Sequence, residues 1–282
     1  MPDDTWDTLV SAEILAAALG RDDLVVLDAR SSLADQAGCE AAYRQAHIPG
    51  ARFADLDRDL SDHRRPGGRH PWPGADAFTA TLGRWGITPA HQVVVYDQAD
   101  GALAAARAWF LLRALGHRRV AVLDGGWARW KALGLPVEST VPSPQPVEYR
   151  ATFDPERLLD AGQVQAHLRA GGLLLDARAA ERFRGEVEPI DPVAGHVPGA
   201  RNRPYAENLR DGRFKPSPEL AQEFEAALDG HAPHEVAVMC GSGVTACHHL
   251  LAMEHAGLRG GKLFTGSWSG WIEDPARPVA RG

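Results

Sequence analysis

The 282-residue sequence repeats itself once, and this duplication limits the folds that the chain can adopt. Four landmarks recur in the same order in both halves, 141 to 149 residues apart. One long-period repeat predicts a duplicated domain, because a solenoid would need several shorter repeats. The paired landmarks are Asp-Ala-Arg at 28–30 and 176–178, His-[Ile/Val]-Pro-Gly-Ala-Arg at 47–52 and 196–201, apolar runs that end at Asp97 and Cys240, and tryptophan-rich segments at 125–130 and 266–271.

Each half alternates short apolar runs with segments of helical pattern. Short apolar strands between helices are typical of parallel sheets that are buried on both faces. In the second half, Asp154-Pro155 and Ser217-Pro218 are expected helix starts, because Asp and Ser cap helices and proline suits the first turn. We predict an α/β fold with two tandem domains, each a small parallel sheet flanked by helices. In the first half, the predicted strands are 24–28, 93–97 and 120–123, and the predicted helices are 11–19, 78–85 and 103–115.

The predicted domain boundaries follow the duplication and one change in composition. Residues 138–150 contain three prolines, which predicts an extended linker. We expect the first domain at 1–137 and the second domain at 151–282. The repeated His-Pro-Gly pattern predicts a turn that leads into the next strand. Asp28 and Asp176 are expected to bond loop backbone or the arginine two residues later.

Charge and cysteine content exclude several classes of function. The formal net charge of −7 argues against a general surface for nucleic acid or for anionic membranes. The N-terminal residues are acidic without an apolar run, and no segment resembles a membrane helix, so we expect a cytoplasmic protein. The three cysteines, at 39, 240 and 247, are too few for a disulfide scaffold, and their spacing predicts no metal site.

The segment around Cys240 has the pattern of a reactive site. An apolar strand ends at Cys240, a loop of small residues follows at 241–245, and residues 246–255 have a helical pattern. The N–H groups of such a loop and the positive end of the helix favour a thiolate over a thiol. The alternative is a buried structural cysteine. Asp97, at the matching place in the first half, cannot carry sulfur, so we expect the active site in the second half.

The reaction class follows from the loop and from the duplication together. A cysteine phosphatase loop places an arginine six residues after the cysteine, and Ala246 stands there in this chain. The duplicated pattern and the loop Cys-Gly-Ser-Gly-Val-Thr-Ala resemble the two-domain rhodanese family over about residues 8–279. The resemblance implies a sulfurtransferase in which Cys240 takes up a sulfur atom as a persulfide. It also implies a thiophilic acceptor, such as cyanide, a thiol or a thioredoxin-like protein, and neither a metal nor an organic cofactor.

The loop also predicts the sulfur donor. Thiosulfate-using relatives carry cations there, as Cys-Arg-Lys-Gly-Val-Thr, which suits a dianionic donor. Here the same places hold the neutral residues Gly241 and Ser242, and the loop resembles the 3-mercaptopyruvate branch of the family. Transfer from thiosulfate to cyanide is the alternative reaction. A non-catalytic sulfur carrier or regulatory module is the alternative from another class of function.

The resemblance implies a proton-handling set beside the cysteine. Ser242, His70 and Asp57 correspond to a Ser-His-Asp set that manages the thiol proton of the donor. Histidine suits this role because it titrates near neutral pH. Without the resemblance, His70 would be interpreted as a histidine of a surface loop.

Donor binding is expected to involve arginines and the loop. Arg182 corresponds to a family arginine that grips the carboxylate of the donor with its planar guanidinium. The second arginine of the family usually follows Glu-Pro, but Ile190 stands there, so either Arg184 replaces it or the donor differs. Four loop residues complete the predicted binding site, with glycines that permit a tight turn and N–H groups that face the persulfide or the leaving enolate: Gly241, Gly243, Val244 and Thr245.

Overall fold

The computed structural model describes residues 5–32 and 34–282. The chain divides into two compact units, one from each half of the sequence except for one exchanged segment. Residues 62–72 belong to the second unit together with 154–282, and the remainder up to residue 153 forms the first unit. The segment 138–150 is part of the first unit, where His47 and Glu138 form an antiparallel bridge. The predicted boundaries at 137 and 151 stay a prediction.

The first unit is a parallel sheet of five strands flanked by helices, in the order β1-β5-β4-β2-β3. The strands predicted at 24–28 and 120–123 have the predicted bounds, and the strand predicted at 93–97 lies one residue earlier. Its elements are β1 (Leu9–Val10), α1 (Ala12–Ala18), β2 (Leu24–Asp28), α2 (Gln36–Gln45), β3 (Arg52–Phe53), α3 (Ala75–Arg84), β4 (Gln92–Tyr96), α4 (Ala105–Ala114), β5 (Val120–Leu123) and α5 (Gly126–Ala132).

The second unit repeats this architecture. Its five parallel strands have the order β6-β12-β11-β7-β8, and a two-stranded antiparallel hairpin, β9-β10, is added. The elements are β6 (Leu158–Leu159), α6 (Ala161–Arg169), β7 (Leu173–Asp176), α7 (Ala180–Arg184), β8 (Arg201–Asn202), β9 (Leu209–Arg210), β10 (Arg213–Phe214), α8 (Ser217–Leu228), β11 (Val236–Met239), α9 (Ala246–His255), β12 (Lys262–Phe264) and α10 (Ser267–Trp271), with 3-10 helices at Pro155–Arg157, Tyr205–Asn208 and Pro233–Glu235.

These sheets confirm the predicted α/β class and the predicted duplication. One helix start differs from its prediction, because Asp154 caps only the 3-10 turn Pro155–Arg157. The α-helix begins later, at Ala161, where Asp160 and Gln163 form a capping box. The helix predicted to start at Ser217-Pro218 does begin at Ser217.

The central strands are buried on both faces, as parallel sheets require. Every residue of β4 and of β11 is buried. Cys240 directly follows β11, and Asp176 ends the neighbouring strand β7. Functional groups of open α/β sheets gather at the carboxyl ends of the strands, so the fold places Cys240 at the edge where a site is expected.

A buried ion pair is repeated at that edge in both units. Arg30 binds Asp28 with a nitrogen–oxygen distance of 2.7 Å, and Arg178 binds Asp176 at 2.8 Å. The guanidinium carbon of Arg178 also lies 4.8 Å from the ring centre of Trp268, a cation–π contact. These bonds confirm the predicted partners of the two aspartates. The repeated Asp-Ala-Arg landmark therefore has a structural role in both units.

The repeated His-Pro-Gly pattern forms the predicted turn in each unit. The N–H of Ala51 donates to the carbonyl of Ile48, and the N–H of Ala200 donates to the carbonyl of Val197. Each turn leads directly into a short strand, β3 in the first unit and β8 in the second. The ring of His196 stacks on Phe183 at a centroid distance of 3.8 Å, which fixes the turn to its own unit.

Replacing Arg178 by Met should destabilise the second unit strongly. The side chains of Arg178 and Asp176 are 1% and 0% exposed, so the variant leaves a buried carboxylate without its main cation. We expect a loss of about 3–5 kcal/mol in the free energy of unfolding, measured by urea titration. Arg201→Met is the control, because its pair with Asp229 is exposed and should contribute less than about 1 kcal/mol. Equal urea midpoints for the two variants would contradict the prediction.

Candidate active site

The backbone of Cys240 is tied to the start of α10. Its N–H donates to the hydroxyl of Ser267 at 3.1 Å, and its carbonyl accepts from the N–H of Trp268 at 3.0 Å. Ser267 has a φ of +50°, which a residue with a side chain adopts only at a cost. Its hydroxyl in turn donates to the carbonyl of Phe264 at 3.0 Å. This network holds the buried Cys240 in one position at the end of its strand.

The loop after Cys240 turns into α9 as predicted. Gly243 has a φ of +75°, a left-handed conformation that glycine adopts without a steric penalty. The N–H of Cys247 donates to the carbonyl of Val244, and the N–H of His248 donates to that of Thr245. The helix then runs to His255. The positive end of its dipole makes the loop favourable for negative charge.

The first unit shows what such a loop does with an anion. Asp97 is buried at the place that corresponds to Cys240. Its carboxylate accepts from five backbone N–H groups of its own loop at 3.0–3.4 Å. A loop of this type therefore directs its N–H groups toward the residue at the strand end. The second unit repeats the fold, and the same arrangement of N–H groups around Cys240 stays a prediction. The donors are Ala99, Gly101, Leu103, Ala104 and Ala105.

Residues 67–70 pack directly on α10. The N–H of Gly68 donates to Glu273 at 2.8 Å, and the N–H of Arg69 donates to the hydroxyl of Ser269 at 3.1 Å. Gly68 has a φ of +84°, and a Cβ on it would lie 2.4 Å from that same hydroxyl oxygen. Only glycine permits this close approach. The contact brings the segment to the helix that also holds the backbone of Cys240.

His70 and Ser242 meet beside the cysteine loop. The Nδ1 atom of His70 lies 2.8 Å from the hydroxyl oxygen of Ser242, and both side chains are buried. Two residues that the resemblance paired are thus in hydrogen-bond contact. Asp57 lies in the first unit, is exposed, and donates its N–H to the carboxylate of Asp55. Its membership of the set stays a prediction.

Two guanidinium groups lie over Gly241. A Cβ on this glycine would lie 2.9 Å from Nη2 of Arg69, and 3.6 and 3.7 Å from Nη1 and Nη2 of Arg182. Asp191 accepts from both arginines, and its side chain is only 2% exposed. Arg182 was expected here. Arg69 was not, because no motif marked it, although its place directly before His70 was an available signal.

A second carboxylate holds Arg182 in place. Glu188 accepts from Arg182 at 2.7 Å and from the N–H groups of Ile190 and Asp191 at 3.1 Å. Burial acts to raise the pKa of Glu188, but the hydrogen bonds from Arg182 and from these N–H groups bring it below its ordinary value. The carboxylate is thus ionised at neutral pH and fixes the guanidinium plane.

The other arginine that was predicted to bind the donor, Arg184, lies apart from Arg69 and Arg182. Arg184 is exposed and pairs with the exposed Glu186 at 2.7 Å. It is not among the groups around Gly241. Trp268 is fully buried in the core of the second unit, where its indole N–H donates to the carbonyl of Val193 at 2.8 Å.

Sequence comparisons identify the kind of domain. The family described as "Rhodanese-like domain" matches residues 11–133 and again residues 160–274. A Pseudomonas aeruginosa protein named "Probable 3-mercaptopyruvate sulfurtransferase" is 51% identical over 97% of this chain and 98% of its own length. A Mycobacterium tuberculosis protein named "Putative thiosulfate sulfurtransferase SseB" is 42% identical over 97% of this chain and 96% of its own length.

A comparison with solved structures agrees with the family match. The crystal structure of SseA from Escherichia coli, described among 3-mercaptopyruvate sulfotransferases, is 33% identical to this chain. It superimposes with a TM-score of 0.79 over 94% of this chain and 100% of the E. coli chain. The similarity therefore covers both units.

Adding a methyl group at Gly68 should reduce catalysis more than stability. Gly68→Ala pushes the backbone of residues 67–70 away from Ser269 and displaces His70, so we expect kcat/KM to fall about 10- to 100-fold. Gly257→Ala is the matched control, because Gly257 has the same φ of +84° but open space around it. It should cost about 1 kcal/mol of stability without changing kcat/KM. Equal kinetic losses in both variants would refute the positioning role of Gly68.

Proposed function

Because this chain belongs to the rhodanese-like domain family, we propose that it is a sulfurtransferase that takes sulfur from 3-mercaptopyruvate. The observation that carries the choice of donor is the contact between His70 and Ser242 next to a loop without cations. A mercaptan donor brings a thiol proton that has to be moved, and this pair can move it. Thiosulfate brings no such proton.

The first step transfers sulfur to the enzyme. The thiolate of Cys240 attacks the sulfur atom of the donor, an S–S bond forms, and the C–S bond breaks. The electron pair of the C–S bond leaves with the three-carbon fragment as the enolate of pyruvate. The proton of the donor thiol passes through Ser242 and His70 to the enolate carbon, which gives pyruvate and leaves a persulfide on Cys240.

The second step returns the enzyme to its starting state. A thiophilic acceptor attacks the terminal sulfur of the persulfide, the S–S bond breaks, and Cys240 leaves as a thiolate. Cyanide would give thiocyanate, and a small thiol or a reduced thioredoxin-like protein would carry the sulfur away as its own persulfide. The N–H groups of Val244 and Thr245 are proposed donors to the anionic sulfur and to the enolate.

The charges around Gly241 suit a donor with one carboxylate. Arg69 and Arg182 each already face a carboxylate, of Asp191 or Glu188, so the four side chains together carry no net charge. The site offers no excess positive charge to a dianion such as thiosulfate. A single carboxylate, in contrast, needs only one guanidinium edge. This balance supports 3-mercaptopyruvate.

Two alternatives keep their own support. Transfer from thiosulfate is supported by the name of the M. tuberculosis relative. A sulfur carrier without turnover of its own would use the same cysteine loop, and release kinetics separate it from an enzyme. Asp57 as the third member of the proton-handling set rests on the resemblance alone, as does a contact of Arg184 with the donor.

Location is a further part of the proposal. Within the part of the chain that the structure describes, no helix is long and apolar enough to cross a membrane. The three cysteines are thiols and not disulfides, and thiols suit a reducing compartment. We therefore include a cytoplasmic location in the proposal.

Replacing Cys240 by Ser should abolish turnover with every donor. The hydroxyl cannot form a persulfide, so mass spectrometry after incubation with 3-mercaptopyruvate should find no added sulfur on the variant. The wild type should gain one sulfur atom on Cys240 and lose it when cyanide is added. Cys39→Ser is the control, since Cys39 lies on α2 in the first unit, and it should behave as the wild type. Turnover by the Cys240→Ser variant would refute the assignment.

A comparison of two donors tests the choice of substrate. We expect kcat/KM for 3-mercaptopyruvate to exceed that for thiosulfate by at least about tenfold, with cyanide as the common acceptor. The physical reason is the neutral loop at Gly241 and Ser242 and the compensated arginines. A higher kcat/KM for thiosulfate would favour the alternative reaction. A persulfide that forms but is not released to any small acceptor would favour the carrier.

A further inference from the structure

A guanidinium that no motif marked lies in the candidate site. Arg69 uses its backbone N–H for Ser269 and its Nη1 for Asp191. Among the residues that the structure describes, neither of these bonds involves Nη2, which is directed to the space over Gly241. The side chain of Arg69 is 29% exposed, so it is accessible to a small molecule.

The position of Arg69 is determined by its neighbours. Asp191 lies between Arg69 and Arg182 and is buried, so it holds the two guanidinium groups on one side of the loop. The backbone of Arg69 is fixed by its bond to Ser269 and by the close packing of Gly68 on that residue. A side chain at position 241 would displace the end of Arg69 from its present position, because its Cβ would lie 2.9 Å from Nη2. The glycine of the loop therefore provides the space that the arginine uses.

We propose that Arg69 is a specificity-determining residue that binds the carboxylate of the sulfur donor together with Arg182. This inference rests on the proposed function. A planar guanidinium binds a carboxylate with directed hydrogen bonds, and two of them on one side of a loop orient it more firmly than one. Ile190, where a second cation was sought in the sequence, is an exposed apolar residue and does not compete for this role.

The placement of Arg69 also explains how the donor is aligned. Arg69 is adjacent in sequence to His70, which contacts Ser242. A carboxylate held by Arg69 therefore lies at a fixed distance from the proton-handling pair. A donor that carries its carboxylate next to the ketone would present its sulfur to Cys240 in one orientation.

The experiment compares two donors that differ only in the carboxylate. The second donor is 1-mercaptopropan-2-one, which has the same thiol and ketone but a methyl group in place of the carboxylate. For Arg69→Met, we expect the KM for 3-mercaptopyruvate to rise about 10- to 100-fold. The kcat/KM for 1-mercaptopropan-2-one should change less than about threefold. Arg69→Lys should give an intermediate KM, because it keeps the charge and loses the fork.

Arg65→Met is the matched control. Arg65 lies in the same segment and is exposed, so the variant changes the charge of the chain by the same amount. This variant should have the same KM and kcat/KM as the wild type with both donors. Thermal melting of all variants verifies that they fold.

The outcomes separate failure of this inference from failure of the proposed function. Equal kinetics for Arg69→Met and Arg65→Met would overturn the binding role. A parallel loss with both donors would also overturn it, since that pattern indicates displacement of His70 rather than loss of a carboxylate contact. If the wild type turned over thiosulfate but not 3-mercaptopyruvate, the proposed function would fail, and this inference with it.

Discussion

The first unit depends on backbone N–H groups that converge on the residue at the end of a central strand. In the first unit they bind the carboxylate of Asp97, and in the second the same position carries Cys240. In the second unit, Gly243 adopts the left-handed conformation that the turn from strand to helix requires. Exchange of a carboxylate for a thiol therefore changes the chemistry without a new fold. The duplication supplied two similar loops after a central strand, and only one of them carries a cysteine at the strand end.

The second requirement is a group of side chains above that loop, and it depends on small residues. The segment 62–72 belongs to the second unit, and glycine at position 68 permits its close contact with α10. This contact delivers His70 to Ser242 and Arg69 to the space over Gly241. The buried carboxylates of Asp191 and Glu188 hold the two guanidinium groups and neutralise their charge, so the site has no net charge. Such a balance is physically reasonable, because an uncompensated buried arginine would be expensive without a bound ligand.

Much of the fold could be predicted because its signals are local. The buried strands at 24–28 and 120–123 are short apolar runs, and the helix at 246–255 follows a loop of small residues. The pairs Asp28–Arg30 and Asp176–Arg178 lie close in sequence, so their partners could be predicted as well. The start of α6 was misplaced for a local reason also, since Asp154 and Asp160 are both suitable caps and only packing selects between them. Arg69 was not predicted, because its position depends on Asp191 and Gly241, which are more than a hundred residues away, and its place directly before His70 was the one local signal.

The sequence by itself determined the duplicated α/β architecture and the neutral loop that follows Cys240, because hydrophobic periodicity, helix signals and residue chemistry all act over short distances along the chain. The tertiary structure alone decided which arginine joins Arg182 over the loop. Arg184, the nearer candidate in sequence, pairs with Glu186 on the surface, while Arg69 is brought in from the other half. The physical reason is that the direction of a long charged side chain is set by the buried carboxylates that it can reach, and those positions exist only once the chain has folded.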